Sequence, residues 1–560
     1  MLTILRRWKL YILIIIGITI FITYKLNENI KDYQVRINAE ADPNLKPPPR
    51  SDAGADGIGE GGVPVKMNVA SLSPQNRKEY YASSVNITLN AYVSDRISVR
   101  RYLPDTRAGE CKRNIQGLPD TSVIITFHNE LYSLLLRTIH SVIDRSDPKL
   151  IREILLVDDA SDYDYVNGKL QKYLEHVEKV KLIRLKQRSG LIKARLVAVE
   201  VAVGDTLTFL DSHCECLPGW LEPLLEQVKL NKTRIVEPEL FNISAEDFQI
   251  EYKTEPWVGK FDWALNFWWD FPYEEFTKNR REGHPFALLK VASMVGGVFT
   301  IDRVFFDWLG RWDDQLELYG YENMELTFKT WLCGGSVYKV PCSLVGHAYH
   351  DRKFFKWKDV LSVQKHNRDR VAEVWMDEYK KFVYLATGPK TVNRVFFDFQ
   401  ENLGDIQHLI DRRKINNCKS YDWFMKNIDI DKFDPMDAVR GGVLRNEHQD
   451  LCLINKGIVQ AAPCVKAENN NIWYMTKEGY ISAEEKCMFS EIFSNKIALD
   501  YCRRSRTPHS FEYEQKTGLI RLSKGCLEAN GPYDDISISY CNAQNINQKW
   551  SWGFDSNTRL

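Results

Sequence analysis

The feature that most restricts the fold of this chain is an alternation of strand and helix patterns between residues 120 and 216. Short apolar runs rich in β-branched residues alternate with stretches whose apolar residues recur at helical spacing. The predicted strands are Ser122–Phe127, Ile154–Val157, Val180–Arg184 and Thr206–Leu210, and the predicted helices are Leu131–Ile143, Leu170–Val177 and Leu191–Ala202. Because parallel strands need long crossover connections, this order predicts a mainly parallel α/β sheet with helices on both faces.

Polar clusters follow three of these strands, at Thr126–Glu130, Asp158–Ser161 and Asp211–His213. The carboxyl ends of parallel strands share one edge, where open α/β sheets bind ligands. Asp158 and Ser161 are equally suited to capping the next helix. Three clusters at one edge nevertheless favour a nucleotide-type crevice. The sequence has neither a Gly-x-Gly-x-x-Gly run nor a P-loop, so a bound metal is the expected partner of the phosphates.

Asp211 and His213 place a carboxylate and an imidazole on the same side of an extended segment. This donor pair suits a divalent ion such as Mn²⁺, which can bridge to a diphosphate. Two ligands alone do not make a site, and an isolated Asp-x-His is more often a strand-end turn. A zinc site at Cys214 and Cys216 is a weaker alternative, because no second close pair completes four ligands.

Length and charge limit the possible classes. A chain of 560 residues is too long for one hydrophobic core, so two or more domains are expected. Its 75 Lys and Arg residues balance its 75 Asp and Glu residues, which argues against nucleic acid as the main partner.

The amino-terminal segment has the pattern of an uncleaved signal anchor. Leu10–Tyr24 is uninterruptedly apolar and follows Arg6, Arg7 and Lys9. No small-residue cleavage pattern comes after it, although a cleaved signal peptide is the competing interpretation. Sequons at Asn86, Asn231 and Asn242, with an even number of cysteines, agree with a lumenal location for the rest of the chain.

The segment after this anchor is rich in Pro, Gly, Ala and Asp from Ala39 to Val65. Such a composition buries little apolar surface, so we expect a flexible stem without chemistry.

The order of several motifs identifies a family. The motifs are Ile124–Glu130 (IITFHNE), Leu156–Ser161 (LVDDAS), Leu207–Cys216 (LTFLDSHCEC), Gly219–Leu225 (GWLEPLL), Phe261–Trp263, Gly296–Gly297, Glu322–Asn323, Trp331–Gly335 (WLCGG) and Ala372–Tyr379 (AEVWMDEY). Together, from about Thr121 to Tyr384, they resemble the polypeptide N-acetylgalactosaminyltransferases. The resemblance implies a GT-A type (Rossmann-like) α/β catalytic domain, UDP-GalNAc as donor, Mn²⁺ as cofactor, and Ser or Thr hydroxyls of polypeptides or glycopeptides as acceptors.

The resemblance also implies roles for individual residues. Asp211, His213 and His347 correspond to the family's metal ligands, and Glu322 and Asn323 to its catalytic pair near the sugar. The positions implied to bind substrate are Thr126, Asp159, Arg188, Ser212, Gly296, Tyr319 and His350. The family retains the anomeric configuration, but the sequence does not identify Glu322 as a nucleophile.

Several positions depart from the family pattern. His350 stands where an Arg that contacts the diphosphate is expected, and a mostly neutral imidazole is a poorer partner for it than a guanidinium. The glycines of the family's mobile loop are missing from Ala348–Trp357. Tyr319 replaces a Trp, and Tyr321 replaces a Gly, where its bulk would narrow the sugar pocket or shift the backbone.

The tail has a weak three-fold repetition and resembles an all-β ricin-type β-trefoil. The sugar-binding Asp usual in each unit is replaced by Ile454, Phe489 and Glu528, so we expect weak or no lectin activity. Glu528 and Asn542 are the one plausible polar pair. By resemblance, the disulfides are Cys111–Cys342, Cys333–Cys418, Cys452–Cys464, Cys487–Cys502 and Cys526–Cys541.

The expected organisation is a Golgi type II membrane protein with a single amino-terminal transmembrane helix. Its predicted parts are a cytoplasmic tail at 1–9, an anchor at 10–24, a lumenal stem at 25–105, a GT-A domain at 106–435 and a ricin B-type lectin domain at 436–560. The predicted activity is transfer of GalNAc to polypeptides. The alternative is a weak or inactive relative that binds glycopeptides or other partners through the same fold.

Overall fold

A computed structural model describes residues 34–35 and 46–555 of this chain. The exceptions are positions 53, 55, 84–88, 254, 350–358, 388–402, 431, 447, 456–457, 465–471, 484–485, 491–495, 503–508 and 524. Among the described residues, no helix combines the length and the apolar character needed to cross a membrane. The predicted anchor at 10–24 and the predicted substrate residue His350 lie outside the described residues.

The first domain is built on one eleven-stranded sheet and a separate hairpin. The sheet strands are β1 (Gln34–Val35), β2 (Thr121–Phe127), β3 (Ile151–Asp158), β4 (Val180–Arg184), β5 (Thr206–Asp211), β6 (Cys214–Cys216), β7 (Arg234–Ile243), β8 (Ile250–Glu251), β11 (Leu289–Lys290), β12 (Val298–Asp302) and β13 (Ser336–His347). The hairpin strands are β9 (Val258–Phe261) and β10 (Phe267–Asp270).

The sheet is mixed rather than mainly parallel. Its order is β1-β4-β3-β2-β5-β12-β7-β13-β11, with β6 beside β13 and β8 beside β7. The predicted strands β2, β3, β4 and β5 run parallel to one another, as expected. However, β12 runs antiparallel between β5 and β7. All five residues of β12 are buried, so its hydrophobic pattern carries no information about its direction.

Helices cover both faces of this sheet, as the alternation predicted. One core cluster includes residues of the helices Leu191–Val201 and Glu322–Leu332, and a second includes residues of Tyr132–Asp144 and Leu221–Leu230. The other helices are Pro74–Ser83, Ala91–Ser94, Lys169–Leu174, Tyr273–Arg281, Arg303–Leu309, Val360–Trp375, Lys380–Thr387, Gln407–Ile415 and Tyr421–Asn427. Short 3₁₀ turns occur at Glu60–Gly62, Val69–Ser71, Gly109–Cys111, Asp164–Asn167, Asp377–Tyr379, Pro435–Asp437 and Ile546–Gln548.

The prediction of a stem that extends to residue 105 is wrong, because part of that segment packs against the catalytic domain. Val65, Leu89, Val93, Ile97 and Leu103 form a buried cluster with residues of the catalytic domain, among them Leu134, Leu217, Phe241 and Phe248. Even the glycine run is ordered, because the amide of Gly61 donates to the carbonyl of Tyr102 at 2.8 Å. The composition argument covered only Ala39–Val65, and it failed at Val65 because this residue buries its apolar atoms against a surface supplied by the catalytic domain. The predicted boundary at 105 failed because the later residues of the cluster pack against the same surface. The folded unit therefore begins well before position 106.

The second domain is built from short β-strands, as expected for a β-trefoil. Its strands are β14 (Ala438–Gly442), β15 (Arg445–Asn446), β16 (Leu451–Asn455), β17 (Val459–Pro463), β18 (Trp473–Thr476), β19 (Ile481–Ala483), β20 (Lys486–Ser490), β21 (Ile497–Tyr501), β22 (Glu512–Glu514), β23 (Leu519–Leu522), β24 (Gly525–Glu528), β25 (Ser537–Tyr540) and β26 (Phe554–Asp555). They form three sheets around one apolar core. Each of the three units carries one disulfide.

Two further disulfides join distant parts of the catalytic domain. They are Cys111–Cys342 and Cys333–Cys418, while Cys214 and Cys216 remain buried thiols. Reduction of such cross-links would relax the unfolded chain and lower stability.

Candidate metal and nucleotide-sugar site

Three metal-competent side chains meet at one edge of the sheet. Asp211 ends β5, and His213 follows it by two residues. His347 ends β13, where it pairs with Cys214 of β6. One potential ligand atom of each residue lies within 4.8 Å of the others, and His347 Nε2 is 3.3 Å from Asp211 Oδ2. The register between β6 and β13 therefore brings together residues that are more than 130 positions apart in sequence.

The Glu130 carboxylate contacts His213 and the neighbouring Ser212. Its Oε2 lies 3.0 Å from His213 Nδ1 and accepts the Ser212 hydroxyl at 2.7 Å. Carboxylates that bind the second imidazole nitrogen orient a histidine toward a metal. Ser212, predicted to contact the donor, is 3 % exposed and bound to Glu130. Sequence reasoning missed the role of Glu130, although it lies in the polar cluster after β2.

Arg195 is a second residue that sequence reasoning missed. It is buried in the helix Leu191–Val201, and its Nη2 donates to Asp211 Oδ1 at 3.0 Å. Its Nη1 donates to the carbonyl of Gly296 at 2.8 Å. Burial opposes ionisation of Asp211, but the bond from His347 and the charge of Arg195 lower its pKa to about 2. The available signal was a basic residue within an otherwise apolar helix face.

Gly296 and Gly297 line the site and leave little or no room for a side chain. A Cβ atom on Gly297 would lie 2.5 Å from Asp211 Oδ2 and 3.6 Å from His347 Nε2. A Cβ atom on Gly296 would lie 3.1 Å from Glu322 Oε1. This segment thus lies between the metal-competent group and the predicted catalytic pair.

Glu322 and Asn323 begin the helix Glu322–Leu332. Glu322 is 7 % exposed, and its Oε2 accepts the Gly320 amide at 2.7 Å. Burial raises the pKa of its carboxyl group, while the nearby charge of Arg195 acts in the opposite direction. Asn323 Nδ2 donates to the carbonyl of Met294 at 3.0 Å. Both side chains are therefore held in place by backbone groups.

The two tyrosines that depart from the family pattern precede this helix. Tyr321 has a φ of 69°, in the left-handed region, and its side chain packs against the apolar core. The Tyr319 hydroxyl accepts Gln364 Nε2 at 3.4 Å. The backbone at Tyr321 thus keeps the left-handed conformation that a glycine adopts readily.

Two of the predicted nucleotide-binding residues, Thr126 and Asp159, lie at the ends of β2 and β3, and the third, Arg188, follows β4. Thr126 is buried, and its Oγ1 has no hydrogen-bond partner in the described part of the chain. The Asp159 carboxylate accepts the amides of Ser189 and Gly190 at 2.6 and 2.9 Å. Burial raises the pKa of Asp159, opposed by these amides and by the charge of Arg188. Asp159 therefore also anchors the turn that carries Arg188.

The side chains of Asp211, His213 and His347 fit a divalent cation such as Mn²⁺. One ionised carboxylate and two imidazoles leave coordination positions for diphosphate oxygens. His347 Nδ1 is buried without a partner among the described residues, and Glu130 orients His213. The group Asp313, Asp314 and His408 also has metal-compatible spacing. There, however, Arg370 already binds both Asp313 oxygens, at 2.6 and 2.9 Å.

The zinc alternative at Cys214 and Cys216 lacks support. Burial raises the pKa of the Cys216 thiol to about 12 and raises that of Cys214 well above its usual value. A thiol must lose its proton to bind a metal. Neither thiol belongs to a metal-compatible group within the described ranges.

This fold and site define a metal-competent glycosyltransferase joined to a lectin-type domain. A family model described as Glycosyl transferase family 2 matches residues 122–295, and one described as Ricin-type beta-trefoil lectin domain matches residues 440–550. The chain is 37 % identical over 513 residues to "Putative polypeptide N-acetylgalactosaminyltransferase 9" of Drosophila melanogaster, covering 88 % of this chain and 76 % of that protein. It belongs to the polypeptide N-acetylgalactosaminyltransferase family.

Two further comparisons agree. The chain is 37 % identical over 538 residues to human polypeptide N-acetylgalactosaminyltransferase 3 (Homo sapiens), covering 91 % of this chain and 83 % of that protein. Among solved structures, GalNAc-T7 with UDP, GalNAc and Mn²⁺ aligns with a TM-score of 0.65 and 29 % identity. That alignment covers 93 % of this chain and 97 % of the other.

Proposed function

We propose that this protein transfers N-acetylgalactosamine from UDP-GalNAc to Ser and Thr hydroxyls of polypeptides, with retention of the anomeric configuration. The observation that carries the proposal is the group Asp211, His213 and His347, whose ligand atoms lie within 4.8 Å of one another at the sheet edge. It occurs in a chain whose relatives are named for this activity.

Asp211, His213 and His347 are the proposed ligands of Mn²⁺. When bound, the ion neutralises the charge that develops on the departing UDP. Arg195 keeps Asp211 ionised, and Glu130 holds His213 in orientation. Thr126, Asp159 and Arg188 are the proposed uridine contacts. In this proposal the Ser212 hydroxyl holds Glu130 by a hydrogen bond and does not contact the nucleotide sugar.

Glu322, Asn323 and Gly296 are the proposed walls of the sugar pocket. A buried carboxylate can accept hydrogen bonds from sugar hydroxyls, and it holds the sugar while the acceptor hydroxyl attacks. Tyr319 lies next to this pocket in sequence, and His350 is the proposed diphosphate contact. Glu322 is assigned a binding role and not that of a nucleophile.

The proposed location is the Golgi lumen, with membrane attachment through residues 10–24. Five disulfides support an oxidising compartment. The trefoil is proposed as a scaffold with little lectin activity. Both oxygens of Glu528 already accept side-chain donors, Asn545 at 3.2 Å and Gln548 at 2.8 Å.

The experiment uses a secreted fragment of residues 25–560, because the folded unit begins before position 106 and strand β1 pairs with β4. The fragment is incubated with UDP-GalNAc, Mn²⁺ and a panel of plain and already glycosylated Ser/Thr peptides. We expect transfer that stops when a chelator is added and resumes when Mn²⁺ is restored. The matched variants are Asp211→Asn, which should lose turnover, and Asp314→Asn at the other metal-compatible group, which should retain it.

A catalytically weak or inactive relative that binds glycopeptides is the second candidate. The replacement of the family's Arg by His350 favours it. Calorimetry with UDP separates the two candidates. Donor binding without transfer to any peptide in the panel would support the second candidate and refute the first.

A further inference from the structure

The short segment before the helix of Glu322 has an unusual backbone. Residues 317–321, which we name the clamped loop, include Leu318, Gly320 and Tyr321 with φ values of 50°, 100° and 69°. The left-handed region is unfavourable for side chains such as those of Leu and Tyr. Backbone of this kind persists only where surrounding contacts hold it, and it is concentrated at functional sites.

One side chain binds the clamped loop at several points. Asn367 lies in the helix Val360–Trp375 and is 0 % exposed. Its Nδ2 donates to the carbonyls of Glu317 at 2.8 Å and Gly320 at 3.1 Å, and it lies 3.4 Å from the carbonyl of Tyr319. Its Oδ1 accepts the amide of Glu317 at 2.9 Å. The amide group of Asn367 therefore binds the loop with both its donor and its acceptor.

The clamped loop reaches both halves of the proposed donor site. On one side, the Gly320 amide donates to Glu322 Oε2 at 2.7 Å. On the other side, the Leu318 carbonyl accepts the Leu191 amide at 2.7 Å, beside the Gly190 amide that binds Asp159. The approach is close, since a Cβ atom on Gly190 would lie 2.5 Å from Leu318 Cα. A displacement of this loop would act on Glu322 through the Gly320 amide and on the Gly190–Leu191 turn through the Leu318 carbonyl.

We infer that Asn367 is a positioning residue for the donor sugar. It holds the clamped loop in its left-handed conformation and thereby aims the Glu322 carboxylate at the sugar pocket, while touching no substrate itself. This inference rests on the proposed function, because it assigns the sugar to Glu322. An ordinary buried asparagine would contribute to stability alone, whereas a positioning residue affects recognition of the sugar more than that of UDP.

The test compares Asn367→Ala with the parent fragment and with Lys365→Ala. Lys365 lies on the same helix with a half-exposed side chain paired to Asp369, so its removal controls for changes in the helix. Calorimetric titrations with UDP and with UDP-GalNAc are made on each protein in the presence of Mn²⁺. For Asn367→Ala we expect UDP affinity within about three-fold of the parent, a fall of at least about ten-fold in UDP-GalNAc affinity, and a fall of at least about thirty-fold in transfer.

If Asn367→Ala folds poorly, Asn367→Asp takes its place, because it keeps an acceptor for the Glu317 amide and removes the donor to the carbonyls of Glu317 and Gly320. A second variant tests whether the loss acts through the clamped loop. Glycine adopts the left-handed region without steric cost, so Tyr321→Gly should reduce the loop's need for Asn367. We expect the double variant Tyr321→Gly/Asn367→Ala to recover UDP-GalNAc affinity at least about five-fold relative to Asn367→Ala. A merely structural role predicts that the two losses add, because Tyr321 packs against the core.

Three outcomes decide the matter. Selective loss of UDP-GalNAc binding with rescue by glycine supports the inference. Equal losses of UDP and UDP-GalNAc affinity, or additive losses in the double variant, overturn it. A folded parent that binds neither ligand refutes the proposed function itself, and the inference with it, whereas binding without transfer still allows this comparison.

Discussion

Two single residues outside the three proposed metal ligands hold the candidate site in place. Glu130 and Arg195 each bind a proposed ligand, and both are buried or nearly so. Buried polar side chains of this kind are costly unless each finds its partner, so their presence beside Asp211 and His213 is informative. Gly297 makes room for the same group by having no Cβ atom.

Glu130→Gln should weaken metal binding without unfolding the protein. The amide is nearly isosteric but cannot hold the His213 imidazole as a carboxylate does. The Mn²⁺ concentration for half-maximal transfer should rise by roughly 10–100-fold, as for other partners of metal-binding histidines. Metal titration of the transfer rate measures this change. The matched control is Glu110→Gln at an exposed position, and an unchanged metal requirement in Glu130→Gln would contradict the role assigned to it.

Gly297→Ala should abolish most of the activity. The added methyl group would lie 2.5 Å from Asp211 Oδ2, so either the carboxylate or the backbone must move. Displacements of about 1 Å at a reacting site cost on the order of 100-fold in rate. Steady-state transfer assays check this value. Gly109→Ala is the control, since a Cβ atom there meets nothing within 4 Å, and equal effects of both variants would refute the steric explanation.

At the scale of elements, the residues before the catalytic sheet form part of the folded domain. Arg101 binds Glu215 in β6 with two hydrogen bonds, at 2.9 and 2.8 Å, and both side chains are fully buried. Its Nη1 also donates to the carbonyls of Gly59 and Phe248. Strand β6 follows His213 directly and pairs with the end of β13, where His347 lies. The Arg101–Glu215 contact therefore stabilises the strand pairing that brings the two histidines together.

Arg101→Met should therefore destabilise the protein strongly. Removing one member of a buried ion pair leaves an uncompensated charge, which costs about 3–5 kcal/mol. Arg137 lies 3.8 Å from Glu215, so we expect the lower end of that range. Denaturant unfolding provides the measurement. Arg113→Met removes an Arg–Glu pair whose arginine is 58 % exposed, and it should cost less than about 1 kcal/mol. Similar losses in both variants would contradict this account.

At the scale of the whole molecule, the two domains share a packed contact. In β18, Trp473 and Met475 face the trefoil core, and Tyr474 between them joins the core of the catalytic domain. Alternate side chains of a strand point to opposite faces, so one strand serves both cores. The Tyr501 hydroxyl also donates to Asp270 Oδ1 at 2.8 Å.

This contact predicts that the two domains unfold together. Tyr474→Ala should remove the ring that packs against Phe382 and Phe433, and separate the single thermal transition into two. Differential scanning calorimetry of the 25–560 fragment detects the separation. Tyr540→Ala is the control, because that side chain is 88 % exposed. Two transitions in the parent fragment would show that the domains are already independent.

The sequence by itself determined the local elements and the type of chemistry. Strands β2 to β5, the helices between them and the polar clusters at their ends follow from short-range patterns, because hydrophobic periodicity records which face of an element is buried. The Asp-x-His step at a strand end identified Asp211 and His213 as candidate ligands, whereas His347 was identified only through the family resemblance. Composition failed at the end of the segment Ala39–Val65, since the burial of Val65 depends on a partner surface far away in the sequence.

The tertiary structure alone decided the contacts between distant segments. The antiparallel direction of β12, the support from Glu130 and Arg195, the Asn367 clamp and the sharing of Tyr474 between two cores all join residues far apart in the chain. A buried polar residue has the same sequence signature whatever partner satisfies it, and a strand buried on both faces has no preferred direction in its pattern. These contacts depend on how the chain closes on itself, which local periodicity does not record.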